Sequence, residues 1–513
     1  MYLNYRNFSV EFAEDSGNFQ CFYSAPGEAR ETLFLRDGTM YVTSGGRRIE
    51  IASYRSRRRE IVPSLECLTG TVSYSDGPAG VPDLAVTFRL DGKSLRFGMM
   101  ARADLHVSGV LVWGAEPERS TFGVRLNDGG DRVLRAACGP AVASCDDALF
   151  DRLTDRALEF RSAGSFRVRY DWEAESYRFD YVNGLDFGRE FTFCVHEEFC
   201  RRRFNIPYAP ICKSHGFETP PAGWMSWYAL QFDTCARNVL ENAEKLVELF
   251  GPWSEKLCCW VDWEWNHNSW TATGIPGVDC FHPRRDAYPD GLAPVAAKIR
   301  ELGVIPALWV GPTNDGDRIS DYREHPDWVL GEKKEWCGRY WIDPTHPEVL
   351  KEYIPAVFRQ VLDWGFRMIK WDCLPATLNA CDDFHDRFFD RTRPTDAAVR
   401  DLIRAARETV GPECYMLSCS GETERDICFA MDQFSAARIG GDVFSWEKFL
   451  TSAVERIFHC YVWHNVVLYA DADNLVLREE FNSMAQARSR VSFYGLAGLP
   501  VTMGDDLRTL PPE

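Results

Sequence analysis

Between Gly223 and Met503 short apolar runs alternate with longer amphipathic stretches, and this alternation limits the fold more than any other feature of the chain. The short runs are Gly223–Tyr228, Leu257–Val261, Val304–Val310, Arg367–Lys370, Tyr415–Leu417, Ser435–Ile439, Val466–Tyr469 and Gly498–Met503. Between them, Ala236 to Phe250 places Val239, Leu240, Ala243, Leu246, Val247 and Phe250 at helical spacing. Val349 to Trp364 does the same through Tyr353, Val357, Val361 and Leu362. Strands separated by helices build a parallel sheet, and eight such units over about 250–300 residues suit a (β/α)8 TIM barrel. A barrel of this kind carries its reactive groups at the C-terminal ends of the strands. Those ends here hold Trp227-Tyr228, Asp262, Trp309, Asp372, Cys419-Ser420, Asp442, Asp471 and Asp473, and Asp505 and Asp506. One Asp at a strand end is often a helix N-cap; a whole rim of them is harder to assign to capping.

The first 205 residues follow another pattern. Leu84–Leu90, Leu95–Met99, Leu105–Val112 and Tyr177–Val182 are short, β-branched and aromatic, with Gly, Asp, Asn and Pro between them. They predict an antiparallel β-sandwich over residues 1–205. Pro207, Pro210, Pro220 and Pro221 break regular structure and place a linker at 206–222, with the barrel at 223–513. The formal charge of −18 repels phosphate backbones and argues against nucleic acid as a partner. No apolar run is long enough to span a bilayer, so no membrane partner is expected. The N-terminus lacks the apolar core of a secretory signal. The 18 cysteines contain no C-x-x-C pair, which argues against a structural zinc. Together with free thiols these features predict a cytoplasmic protein. Most of the 17 Trp are expected to fill cores, although an indole also suits the apolar face of a sugar.

Two of the rim carboxylates stand out. Asp372 follows Lys370-Trp371, and residues two apart on a strand share a face. Lys370 and Asp372 are thus expected to point together into the barrel mouth. A neighbouring cation keeps a nucleophilic carboxylate ionised, but the same spacing fits a buried structural pair. Asp442 closes Arg438-Ile439-Gly440-Gly441-Asp442. Glycines before a carboxylate allow close approach to a ligand, and they equally make a turn with a capping Asp. Arg438 is placed to bind a sugar hydroxyl or to hold the nucleophile's charge. Trp265 and Trp309 are candidate sugar platforms or barrel packing.

At these residues the chain resembles the α-galactosidase clan, most closely glycoside hydrolase family 36 with its sister family 27. The resemblance covers about Pro221 to the end of the chain. Gly223-Trp224-Met225-Ser226-Trp227-Tyr228 is similar to the family's first strand, and Leu302-Gly303-Val304 through Leu308-Trp309-Val310 to its third. His325-Pro326-Asp327-Trp328, Lys370-Trp371-Asp372, Ser418-Cys419 with Arg425, Arg438-x3-Asp442 and Asp471-Ala472-Asp473-Asn474-Leu475 follow in the family's order. The resemblance implies an N-terminal β-supersandwich and a retaining exo-α-glycosidase, most often an α-galactosidase. It implies Asp372 as nucleophile and Asp442 as general acid/base, with Trp227, Asp262, Trp265, Trp309, Lys370, Cys419, Arg425 and Arg438 around the substrate. The partner is then an α-linked oligosaccharide or glycoside, no metal or other cofactor is needed, and homo-oligomers are common. A transferase of the raffinose-synthase type, an α-N-acetylgalactosaminidase and a non-catalytic sugar-binding relative are the alternatives.

The sequence also departs from the family. The second strand, which usually ends in two acids, reads Asp262-Trp263-Glu264-Trp265. Glu264 is a candidate substitute, though from the opposite side of the strand. The third strand continues Trp309-Val310-Gly311-Pro312 without its acid, and the loop after Cys419 is the acidic Gly421-Glu422-Thr423-Glu424. These changes predict an altered pocket wall and leave related glycones open, among them β-L-arabinopyranosides, which share the galactose ring stereochemistry. The chain ends at Pro511-Pro512-Glu513, soon after the eighth strand signal, and a C-terminally truncated barrel is one expectation from this.

Overall fold

The computed structural model describes residues 1–28, 31–100, 104–113, 133–136, 147–162, 165–171, 176–183, 190–209, 217, 219–254, 256–266, 280–315, 325–419 and 421–510. Ser420 and much of the expected linker, residues 210–216 and 218, lie outside them. The chain divides into two units, Met1–Asn205 and Ile206–Glu513.

The first unit is a sandwich of two antiparallel sheets, each of eight strands among the described residues. Along Leu84–Leu90 buried residues alternate with more exposed ones, as a two-residue side-chain period requires when one face is covered. Buried residues of both sheets form one core. Phenylalanine supplies much of it across the gap: Phe12 meets Phe88 at 5.2 Å and Phe34 meets Phe193 at 5.3 Å between ring centroids.

The second unit is built on a parallel sheet. Its strands are β1 (Ala222–Met225), β2 (Leu257–Val261), β3 (Ile305–Val310), β4 (Met368–Trp371), β5 (Tyr415–Ser418), β6 (Ala436–Arg438), β7 (Tyr469–Asp471) and β8 (Val501–Met503). Each pairs with the next from β1 to β7, and β1 pairs with β8. Asn474–Leu475, the continuation of β7, pairs with β8. The break in β7 falls at Ala472-Asp473, where Asp473 adopts the left-handed φ of 74°. The ring is therefore closed by one kinked strand. Helices α1 (Ala236–Phe250), α2 (Ala293–Glu301), α3 (Ile354–Asp363), α4 (Leu374–Asp383), α5 (Thr395–Val410) and α6 (Met484–Ala497) lie between the strands. A small three-stranded sheet of Asn314–Asp315, Val329–Glu335 and Gly338–Ile342 follows β3. Among the described residues no helix is long and apolar enough to cross a membrane.

Two of the expected strands are displaced. The first ends at Met225 because Ser226–Leu230 is already helical, so Trp227 and Tyr228 stand on a helical turn above the barrel. The seventh runs over Tyr469–Asp471 rather than Val466–Tyr469, because Val466 and Val467 bond back to the Trp463 carbonyl in a turn.

The inward residues follow a simple parity. Met225, Cys258, Trp260, Ala307, Met368, Tyr415, Leu417, Ala436 and Tyr469 share one buried cluster. Counting on by twos toward the strand ends reaches Asp262, Trp309, Lys370, Asp372, Cys419, Arg438 and Asp471. Close strand approach is needed at Gly223, where an added Cβ would lie 2.0 Å from the Cys258 carbonyl oxygen on β2. Gly223→Ala should thus force β1 from β2 and destabilise the protein by on the order of 3 kcal/mol, read by urea unfolding. An unchanged midpoint would contradict this packing.

Candidate active site

The mouth of the barrel contains two buried cations, each held by a carboxylate distant in sequence. Lys370 Nζ, on β4, donates to Asp262 Oδ2 at 3.0 Å, and both side chains are almost wholly buried. Burial raises the Asp262 carboxyl while Lys370 opposes it. Burial works most strongly against the Lys370 ammonium, but Asp262, Cys419 and Asp372 together outweigh it and hold the ammonium above its ordinary range. Lys370 therefore does not contact Asp372 as its sequence spacing implied. The partners of Asp372 are two N–H donors: Trp309 Nε1 to Oδ2 at 2.9 Å, and the Cys373 amide to Oδ1 at 2.6 Å.

The second cation is Arg438 on β6. Its Nη1 lies 3.0 Å from Asp473 Oδ1, and its Nη2 donates to Asp442 Oδ1 at 3.3 Å and to the Gly440 carbonyl at 3.2 Å. Arg438 thus holds the Asp442 side of the mouth rather than the charge of Asp372. Asp442 itself is 56% exposed. Its glycines have a packing reason, since an added Cβ at Gly440 would lie 2.0 Å from the Ser452 carbonyl oxygen. Asp473 also accepts from the Tyr228 hydroxyl and, at 3.2 Å, from the Val443 amide. Burial pushes its carboxyl up to about 6, against the pull of Arg438. Cys419, half-buried, accepts from Arg438 Nη1 at 3.8 Å. Burial raises its thiol well above the usual range, and Asp372 adds to this, with Asp442 also contributing. Cys419 therefore stands within electrostatic reach of both aspartates.

Tryptophans cover the other side. The Trp263 ring stacks on Trp309 at 6.0 Å and 26°, packs on Trp227 at 5.4 Å, and meets Trp336 edge-on at 6.0 Å. Trp227 in turn contacts Phe232. Trp336, at the turn of the small-sheet hairpin, is 51% exposed.

Several expectations are corrected. Trp265 is fully buried, packs on Trp364 and donates to the Trp309 carbonyl, so it supports the wall and offers no face to a ligand. Arg425 is fixed between Asp382 and Asp396, away from the two aspartates. Glu264 pairs with Arg284 at 3.1 Å instead of replacing an acid in the mouth. For Asp505, which the sequence left open between a structural and a site role, the Leu477 amide and Arg478 make the role structural. Trp336 was not foreseen, and Tyr228 was read only as a rim residue without its partner Asp473. Trp336 lies in a segment with no rim-strand signal, and Tyr228 required knowledge of the kink at Asp473. Among the described residues no group of three or more His, Cys, Asp or Glu is arranged to hold a metal ion.

Asp473 has a testable consequence. Its folded pKa is raised above the ordinary value of 3.8, so its stabilising contribution is complete below that value and is lost as pH rises through about 6. Urea unfolding from pH 4 to 7 should show this downward component in the wild type and not in Asp473→Asn. Equal pH slopes for the two proteins would rule it out.

Residues 226–403 match the Melibiase family model. Alpha-galactosidase C of Emericella nidulans is 32% identical over 109 residues, covering 19% of this chain and 14% of that protein. Probable alpha-galactosidase G of the same organism is 29% identical over 108 residues, covering 19% and 15%. The matched stretch thus spans about a seventh of the length of these relatives. Among solved structures, an α-galactosidase from Thermus thermophilus in complex with p-nitrophenyl α-D-galactopyranoside is 18% identical, with a TM-score of 0.48 over 89% of this chain and 92% of that one. The family 36 α-galactosidase AgaA from Geobacillus stearothermophilus is 13% identical, with a TM-score of 0.45 over 100% and 84%. The Melibiase match lies on the strands that carry Asp262, Trp309 and Asp372, and over that stretch the chain is similar to α-galactosidases.

Proposed function

We propose that this protein is a retaining exo-α-glycosidase acting on α-galactosides or glycosides of the same ring stereochemistry. The observation that carries the reading is the contrast between two carboxylates at one barrel mouth. Among the described residues Asp372 is held by two N–H donors, which leave it fixed at the mouth as a nucleophile. Asp442 is exposed and tethered by a single guanidinium contact, a setting for a group that must exchange protons with water. The Melibiase match and the α-galactosidase relatives support the same reaction class.

In this mechanism an Asp372 oxygen attacks the anomeric carbon while Asp442 gives its proton to the departing oxygen. A glycosyl ester forms on Asp372 and the glycosidic C–O bond breaks. Water then attacks the anomeric carbon, Asp442 takes the proton, and the ester bond returns its electron pair to Asp372. Configuration is inverted twice and so retained. Arg438 keeps Asp442 in place through both steps, and Asp473 keeps Arg438 in place. Asp262, paired with Lys370, is the hydroxyl acceptor at the opposite side of the mouth.

The test is aryl-glycoside hydrolysis by the wild type and two variants. The wild type should release aryl alcohol from an α-galactoside or a stereochemical relative, with the sugar first appearing by NMR in the anomeric configuration of the substrate. Asp372→Ala should lose activity by more than about 10³-fold. Asp442→Ala should lose about 10²–10⁴-fold on alkyl glycosides, whose leaving group needs a proton, and much less on activated aryl glycosides. A wild type inactive on the whole panel, or an active Asp372→Ala, would exclude the mechanism.

A further inference from the structure

We propose that Arg490, on helix α6, is a positioning residue for proton transfer at the mouth: it fixes the peptide that follows Asp442 and so sets the direction of the Asp442 carboxyl. The inference rests on the glycosidase reading of Asp442 and adds a residue that acts on it through the backbone.

Arg490 is a fully buried cation. Lys370 and Arg438 each lie against a buried carboxylate. Arg490 instead gives its donors to two carbonyls, Nη1 to Val443 at 2.8 Å and Nη2 to Phe444 at 3.0 Å. Its guanidinium lies over the Phe449 ring, 4.8 Å from the centroid. A planar fork reaches two consecutive carbonyls at once, which neither an apolar side chain nor a lysine does.

Those carbonyls belong to the two residues directly after Asp442. The Val443 amide is held from another side, by the Tyr228 hydroxyl at 3.0 Å and Asp473 Oδ2 at 3.2 Å. The Phe444 ring stacks on Tyr228 at 3.8 Å and 28°. Ahead of Asp442, Gly440 is pressed against the Ser452 carbonyl. The backbone is therefore clamped before and after a carboxyl that is itself 56% exposed. An exposed side chain takes its direction from the Cα–Cβ bond it stands on, and a general acid must meet the leaving oxygen at hydrogen-bond reach. Loosening the peptide after Asp442 misplaces that proton without removing any group from the mouth.

A second arginine supplies the control. Arg407, on α5, also donates to carbonyls, those of Gln433 at 2.8 Å, Gly411 at 3.2 Å and Cys414 at 2.6 Å. Gly411 and Cys414 precede β5, so Arg407 serves the end of the barrel opposite the mouth.

The experiment compares kcat/KM for phenyl and 2,4-dinitrophenyl glycosides of the glycone the wild type prefers. Phenoxide needs a proton on departure and dinitrophenoxide does not. Arg490→Lys should raise the dinitrophenyl-to-phenyl ratio by about tenfold or more over the wild type. Arg407→Lys should lower the urea midpoint and leave the ratio within about twofold of the wild type. In an Asp442→Asn background Arg490→Lys should leave the ratio where Asp442→Asn alone sets it, because its effect runs through that carboxyl. Arg490→Gln, which keeps one donor without a buried charge, covers the case in which the lysine variant does not fold. Equal losses on both substrates, or a ratio moved as far by Arg407→Lys, overturn the inference and leave the glycosidase reading intact. A ratio shift that persists in Asp442→Asn overturns it as well. A wild type that hydrolyses neither substrate overturns the glycosidase reading and the inference with it.

Discussion

Two buried cations organise the mouth of the barrel. Lys370 and Arg438 are each about 5% exposed at the side chain, and each depends on a carboxylate from another strand, Asp262 and Asp473. A charge in this position is tolerable only when paired, and removing one partner of a buried pair leaves the other uncompensated. The strand ends are consequently tied together: β4 to β2 through Lys370, and β6 to the kinked β7 through Arg438. The left-handed backbone of Asp473 belongs to this scheme, because the kink brings its carboxylate to Arg438, Tyr228 and the Val443 amide at once. Arg438 then reaches Asp442, so the position of that exposed side chain derives from a pair buried beneath it.

The remaining half of the mouth is governed by packing instead of charge. Trp309 is oriented by its N–H to Asp372, and Trp265 sustains it from behind through the Trp309 carbonyl. Trp263, Trp227 and Trp336 continue the wall outward. Indoles suit this task because they combine a broad apolar face with a single directed donor. The indoles thus gather along β1 to β3 and the charged groups along β4 to β7, with Asp262 at the end of β2 as the charged exception.

Much of this organisation is legible in the sequence. Leu257–Val261 and Ala236–Phe250 appear as the elements their periodicities indicate. Asp262, Asp372 and Asp471 fall on the inward positions of their strands because a strand's parity continues to and past its last paired residue. The misreadings share one cause, namely that periodicity describes an element and not its neighbours. Lys370 and Asp372 do lie two apart on β4, yet the ammonium finds Asp262 on β2. Trp265 carries the residue type of a platform but is covered by Trp364, and Arg425 sits in the expected motif but serves two helical carboxylates.

The sequence by itself determined the sandwich, the eight parallel strands and the set of side chains that turn toward the barrel axis, because these follow from local periods of two and about 3.6 residues. Only the tertiary structure decided which carboxylate each cation serves, which tryptophans remain open to a ligand, and that Tyr228 and Trp336 belong to the site. The physical reason is separation along the chain. Lys370 and Asp262 are 108 residues apart, Tyr228 and Asp473 are 245 apart, and electrostatic pairing in a low-dielectric interior depends on distance in space alone.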